Sequence, residues 1–432
     1  MRYKTLPSSL FVTNRQKLVK LIEPNSIVIF NANDVMPTNA DGEMGFKQNS
    51  DLFYLTGIDQ EETVFLLYKN KEGSVQEVLF LRETNEHIKI WEGEKLTKEK
   101  ASLLSGIENV LWLDSMEVTL TECMQSSPIT YLNTNEHARN TSNVQTRDDK
   151  FRERFIKEYK WKGIKKVAPF MHDLRYIKEQ EEISHIQKAI DITHDAFMKV
   201  LLFMKPECFE YEVEAEIIHE FIRNGSRGHA YSPIVAGGQN ACVLHYISND
   251  QRLKDGDLVL MDFGAEYGNY NADLTRTVPV GGKFSVRQRQ VYEAVLKVMK
   301  FAISQLVVGN TFDAYNKDVG LVMTEELIQL GLLTKEEVMN QDEKKPAYRK
   351  YFMHGTSHSL GLDVHDVDNR KSPFEEGMVF TCEPGIYILE ENIGVRLENN
   401  ILITNKGPLD LMRKIPIEID EIEQLMSNQR QN

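Results

Sequence analysis

The sequence predicts an α/β domain over residues 1–174 followed by an α+β domain over residues 175–432. Three observations carry that expectation. Short β-branched and aromatic runs alternate with polar, helical stretches in the first part. A strongly charged stretch interrupts the chain between Asn140 and Lys166, and a domain boundary is expected near residues 150–175. After it the apolar period lengthens to that of helices, which are set apart from strand-like segments joined by turns. At 432 residues the chain also exceeds the ~250–300 residues over which a single core grows.

In order, the runs at 26–30 (SIVIF), 51–57 (DLFYLTG), 63–68 (TVFLLY), 77–81 (EVLFL) and 109–113 (NVLWL) are expected strands, each bounded by Asn, Asp, Gly or charged residues. The stretch 140–166 is expected as a linker or an exposed connecting helix. Ile183, Ile186, Ile190, Phe197, Val200, Leu201 and Met204 then recur at helical spacing until Pro206 stops them. A second helix over 213–223 ends at Asn224-Gly225, a third follows the N-cap Ser285 down to Gly309, and Thr311 caps a fourth. Strand-like segments lie at 258–267, 271–280, 378–383 and 394–404.

Composition excludes some partners. Sixty-five acidic against 51 basic side chains give a formal charge of −14, which repels phosphate backbones and anionic lipid. No nucleic-acid or membrane partner is expected. The first twenty residues hold no apolar run of the signal-peptide kind, and no window approaches the ~20 apolar residues of a membrane span. The four cysteines are scattered without a CxxC pair, as reduced thiols are, and the expected compartment is the cytoplasm.

The candidate chemistry lies in the second half. Asp262 interrupts an apolar run and Asp273 follows eleven residues later, with Gly268-Asn269 between them as a two-residue turn signal. A hairpin closed there pairs residues whose numbers sum to 537, placing both aspartates on one face as diagonal neighbours ~7–8 Å apart. Either aspartate could instead pair with Arg276 or Lys254. His354, His358 and His365 cluster within twelve positions, but Gly355 stands where a zincin helix needs glutamate. Glu383 ends an apolar strand before Pro384-Gly385, and Arg396 and Glu398 alternate onto one strand face. Four carboxylates and an imidazole make a hard, oxygen-rich site that suits manganese or magnesium and balances two divalent cations. Hydrolysis of an amide or ester is the reaction class that such a site serves.

These motifs resemble one family. VLMDFGAEYGNYNADLTRTVPV (259–280), HGTSHSLGLDVHDV (354–367), CEPGIYI (382–388) and GVRLENN (394–400) look like the signature of the pita-bread metallopeptidases, and are most similar to aminopeptidase P and prolidase. The resemblance extends through NACVLHY (240–246) and QNSDLFYLTG (48–57), so it spans most of the chain. It implies an N-terminal domain of the creatinase/aminopeptidase P type, a pita-bread catalytic domain with an antiparallel sheet and flanking helices, and a dinuclear manganese site. Asp262 is then implied to ligate one metal and Asp273 to bridge both, with His358 and Glu383 completing the first and Glu398 forming the second bridge. A hydroxide held between the ions is implied to attack the scissile carbonyl, with Glu383 carrying protons. His245, His354 and His365 match pocket histidines that bind substrate and stabilise the oxyanion, Arg396 matches a substrate-contacting arginine, and Tyr231 matches a pocket tyrosine.

The implied reaction releases the first residue from peptides with proline second, in a homodimer or homotetramer. Prolidase, acting on dipeptides alone, is the nearest alternative; a creatinase-like hydrolase or an inactive binding protein with the same fold is the more distant one. Methionine aminopeptidase shares the ligand pattern but lacks a ~150-residue N-terminal domain. Against some relatives 386–394 is shorter, Asn399-Asn400 replaces a more acidic pair, and 140–166 lacks a clear counterpart.

Overall fold

Two units emerge in the computed structural model, which describes residues 2–159, 163–342 and 344–428. One runs from Lys4 to Arg175; the other starts at Tyr176, reaches the C-terminal helix, and includes Arg2 and Tyr3.

The first unit is a six-stranded mixed sheet. Strands β1 (Ser26–Asn31), β2 (Val64–Lys69), β3 (Val75–Leu81), β4 (Val110–Trp112), β5 (Ile129–Leu132) and β6 (Ile164–Lys166) lie in the order β4-β3-β2-β1-β5-β6. β1 to β3 form an antiparallel meander, and β4, β5 and β6 join in parallel. Parallel neighbours need crossover connections. Helices supply much of this chain: α1 (Ser8–Leu21), α2 (Ser50–Thr56), α3 (Glu86–Glu92), α4 (Lys98–Ser105), α5 (Met116–Ser126), α6 (Arg147–Tyr159) and α7 (Ala168–Tyr176). The α/β class is the expected one.

One local expectation fails here and a second holds only in part. Residues 51–57, read as a strand, are the helix α2. Asn49 caps it by accepting the N–H groups of Asp51 and Leu52, and Gly57 ends it at φ 67°. Leu52 through Thr56 are all buried, so this helix has no polar face and its apolar run mimics a core strand. The charged stretch 140–166 is also more than a linker. Its helix α6 sends Phe151 and Phe155 into the core beside Ile29, Leu66 and Leu132. Two phenylalanines four apart make a narrow apolar stripe that the surrounding charges hide. Residues 160–162 of that stretch lie outside the described residues.

In the second unit the helices are α8 (Gln180–Phe203), α9 (Glu210–Arg223), α10 (Val286–Gln305), α11 (Phe312–Gln329), α12 (Lys335–Met339) and α13 (Ile419–Asn428). Ser285 and Thr311 cap α10 and α11 by accepting the N–H groups of Gln288 and Ala314. The strands are β7 (Ile234–Gly237), β8 (Leu258–Phe263), β9 (Glu266–Tyr267), β10 (Tyr270–Asn271), β11 (Leu274–Pro279), β12 (Val379–Cys382), β13 (Gly385–Ile388), β14 (Ile393–Arg396), β15 (Asn399–Thr404) and β16 (Gly407–Asp410). They form sheets β11-β8-β7 and β12-β15-β16 and the pairs β9–β10 and β13–β14, all antiparallel, with helices set apart. This is the α+β arrangement expected.

The hairpin at Gly268-Asn269 has the anticipated register. Tyr267 faces Tyr270, Phe263 faces Leu274, and Asp262 faces Thr275, so each pair sums to 537. Asp262 and Asp273 are therefore diagonal neighbours. Gly264 is required opposite the turn of the chain, because a Cβ there would lie 1.8 Å from the Ala272 carbonyl oxygen. Among the described residues no helix is long and apolar enough to cross a membrane.

Candidate metal centre

Strand ends from three pairings bring the five candidate ligands together. Asp262 lies near the end of β8 and Asp273 immediately before β11. The segment between β14 and β15 docks on β11 because the Glu398 N–H donates to the Thr275 carbonyl at 3.0 Å, while Thr275 Oγ1 donates to Glu398 Oε2 at 2.7 Å. Glu383 follows β12, its N–H bonded to the Thr356 carbonyl at 2.8 Å. His358 is fixed against the same strand through Thr381, whose N–H reaches the His358 carbonyl at 2.9 Å and whose Oγ1 accepts the His358 N–H at 3.1 Å.

The result is a tight cluster. Asp273, His358 and Glu398, all buried, offer ligand atoms within 4.8 Å of one another. His358 Nε2 lies 3.4 Å from Asp273 Oδ2 and 3.6 Å from Glu383 Oε1. The Tyr231 hydroxyl stands 2.5 Å from Oδ1 of both Asp262 and Asp273, tying the fifth ligand to the other four.

The electrostatics require a counter-charge. Four carboxylates face one guanidinium, Arg396, whose Nη2 donates to Asp262 Oδ2 at 2.6 Å. Burial, and then the neighbouring carboxylates, hold Glu398 far above the usual carboxylate range. Burial raises Asp262 against the pull of Arg396 and pushes Glu383 up to about 7. Burial opposes charge on His358, yet its bond to Asp273 and the nearby Glu383 carry its pKa above the ordinary value. His358 Nδ1 lies 3.0 Å from the Ser359 carbonyl and donates there, which leaves Nε2 facing the carboxylates, where it can meet them as N–H or be bared to a cation. Buried Glu398 Oε1 accepts no hydrogen bond among the described residues. Lone pairs facing lone pairs at such separations are relieved by protons, as on Glu398, or by a cation. A hard oxygen set with one imidazole fits divalent cations, and four anionic donors balance two of them.

Around this centre the remaining expected residues take distinct places. The His354 ring is held on both sides: Nδ1 donates to the Gly355 carbonyl at 2.8 Å, and Nε2 accepts from the Tyr387 hydroxyl at 2.7 Å. Burial, then Arg396, lowers its pKa to about 3, so it is neutral. A bond from His354 to substrate would thus require the ring to give up one of these partners. The His365 ring stands edge-on to His358 with centroids 4.3 Å apart. His245 is exposed on the segment after the turn 238–242.

Arg396 does more than face Asp262. Its Nε donates to Thr275 Oγ1 at 3.1 Å and its Nη1 to the Tyr387 hydroxyl at 2.9 Å, so a continuous chain runs His354–Tyr387–Arg396–Asp262. Tyr387 was not singled out by the sequence; its only signal is a tyrosine four residues after Glu383. The alternative pairing of Asp262 or Asp273 with Arg276 or Lys254 does not occur. Arg276 is fully buried and points the other way, to the carbonyls of Pro416, Thr275 and Glu398 and to Asn399 Oδ1. Asn400 clamps the Asp273 backbone, accepting its N–H at 3.1 Å and donating to its carbonyl at 2.7 Å.

Comparison with known proteins agrees with this geometry. Residues 184–405 match metallopeptidase family M24, and residues 11–131 match the aminopeptidase P N-terminal domain. The chain is 37% identical to the Xaa-Pro aminopeptidase of Haemophilus influenzae, with 98% of each chain covered. It is 34% identical to the Xaa-Pro aminopeptidase of Escherichia coli, over 96% of this chain and 97% of the other. Among solved structures it resembles E. coli aminopeptidase P with the inhibitor Pro-Leu, at a TM-score of 0.90 and 33% identity, covering 99% of this chain and all of the other.

Proposed function

Because the chain belongs to metallopeptidase family M24, in its aminopeptidase P branch, we propose that it is a Xaa-Pro aminopeptidase, releasing the first residue from peptides whose second residue is proline. The observation that carries this is the meeting of five donors and Tyr231 at one buried point, in a chain alike along its whole length to Xaa-Pro aminopeptidases. Asp262, Asp273, His358, Glu383 and Glu398 hold two divalent cations in this proposal, with manganese the favoured metal. Divalent cations in such a setting lower the pKa of water and polarise a carbonyl.

The chain's own groups do the rest. Glu383, with one oxygen 3.6 Å from His358, is the proton carrier, taking a proton from the nucleophile and returning it to the leaving amine. Arg396 keeps a fixed positive charge beside Asp262, and the Gly355 carbonyl fixes the tautomer of His354 while Tyr387 holds its other nitrogen. His245 and His365 supply hydrogen bonds to the peptide and to charge developing on its carbonyl. An Xaa-Pro bond is a tertiary amide without an N–H, so recognition cannot depend on that donor.

The units are proposed to serve as an N-terminal domain, 1–174, and a catalytic domain, 175–432. A homodimer or homotetramer in the cytoplasm is proposed, and four free cysteines suit a reducing compartment. The test is to give manganese-loaded protein both Xaa-Pro and Xaa-Pro-Yaa-Zaa. Release of the first residue from the tetrapeptide is expected. Cleavage of the dipeptide alone would make it a prolidase, and cleavage of neither would leave a binding protein.

A further inference from the structure

Helix α9 opens on a carboxylate that the mechanism above does not use. Glu210, its first residue, is fully buried, and its partners among the described residues are uncharged donors. Oε1 accepts the Gly237 N–H at 2.8 Å and Asn240 Nδ2 at 3.3 Å, and Oε2 accepts the Tyr246 hydroxyl at 2.8 Å and the Gln251 N–H at 2.9 Å. All four donors belong to one stretch, 237–251, which leaves β7 and carries His245.

Apolar packing holds part of that stretch, since Ala241 is buried with Ile234, Ala236, Leu260 and Tyr387 and Leu244 packs beside them, but its polar groups converge on Glu210. Beyond the turn 238–242 it forms neither strand nor helix up to residue 250, and His245 is exposed. Its far end is pinned from the same face of α9: Glu214, one turn on, accepts Asn249 Nδ2 at 2.8 Å, and Asn249, buried at φ 46°, accepts the Val235 N–H at 2.9 Å. A carboxylate suits the position of Glu210 because it accepts on both oxygens, whereas an amide presents N–H groups on one side. The helix N-terminus adds favourable potential for the charge.

We propose that Glu210 is a positioning residue for catalysis: by gathering the donors of 237–251 it fixes where His245 meets the peptide. The proposal rests on the aminopeptidase reading, in which His245 contacts substrate.

The test compares wild type, Glu210→Gln, His245→Ala and the double variant as manganese-loaded full chains, scoring kcat/KM on Xaa-Pro-Yaa-Zaa, manganese content, and amide hydrogen exchange over 237–251. Glu210→Gln is expected to lower kcat/KM about 10- to 100-fold with manganese content unchanged. In the His245→Ala background it is expected to add almost nothing, because the two act as one unit. Exchange over 237–251 rises while that of α10 stays the same. Multiplying losses in the double variant, or unchanged exchange, would overturn the proposal. Tyr246→Phe removes one donor and, if Glu210→Gln does not fold, gives the same comparison with a loss of about 3- to 10-fold. A wild type that cleaves no Xaa-Pro peptide would instead overturn the aminopeptidase reading, and the exchange measurement would then decide alone whether Glu210 holds the stretch.

Discussion

Replacing Asp273 by asparagine should stabilise the cation-free protein while removing its response to manganese. Ligand atoms of Asp273 and Glu398 lie within 4.8 Å. Two ionised carboxylates at that separation repel by about 3.5 kcal/mol in an effective dielectric suited to protein sites. Glu398 escapes part of this by taking up a proton, as its raised pKa shows. The variant also loses the contact of Asp273 with His358 Nε2 at 3.4 Å, an offset of about 1 kcal/mol. The Asn400 clamp holds the backbone of residue 273 and survives the change. In chelator at pH 8 the net gain should be about 1–2 kcal/mol, or a rise in Tm of about 2–8 °C. Wild type gains about 2.7 kcal/mol per independent site when manganese reaches a hundred times its Kd. The assay is thermal melting of both proteins, with chelator and with manganese. A variant that melts below wild type in chelator, or that gains as much from manganese, would refute the reasoning.

Three further outcomes are expected. Glu383 stands at about 7 without a cation, so below that pH it holds a proton that binding must displace. Manganese affinity therefore falls by at least about tenfold per unit as the pH drops below 7, because Glu398 and His358 also hold protons that binding must displace; calorimetry showing equal affinity at pH 6 and pH 8 would contradict this. Tyr231→Phe removes the hydroxyl that contacts both Asp262 and Asp273, and should weaken manganese binding about 10- to 100-fold. Unchanged affinity in the same calorimetric titration would show that the hydroxyl plays no part. Phe155→Ala deletes a ring that is 1% exposed in the first core and should cost about 3–5 kcal/mol; a urea-melt loss below ~1 kcal/mol would place α6 outside that core.

Much of the site was legible because one turn set its geometry. Gly268-Asn269 fixed the pairing of Asp262 with Thr275, and side-chain alternation then put Asp262 and Asp273 on one face. Local periodicity found α8, α10 and α11, the last two with their caps, since apolar faces and Ser285 or Thr311 speak within a few residues. It failed at α2, where full burial erases the polar face by which helices are recognised. It half-failed at α6, where two phenylalanines are outnumbered by charges. Long-range partners were not legible. Nothing near Arg276 says that it turns to backbone carbonyls rather than to an aspartate, and nothing near Tyr387 says that it bridges His354 and Arg396. Glu210 reads as one more acidic residue at a helix start until the fold brings 237–251 back upon it.

Anomalous diffraction from crystals grown with manganese would show whether these donors gather a pair of metal ions. Two peaks are expected, enclosed by Asp262, Asp273, His358, Glu383 and Glu398. An empty cluster, with manganese seated at other residues, would contradict the assignment.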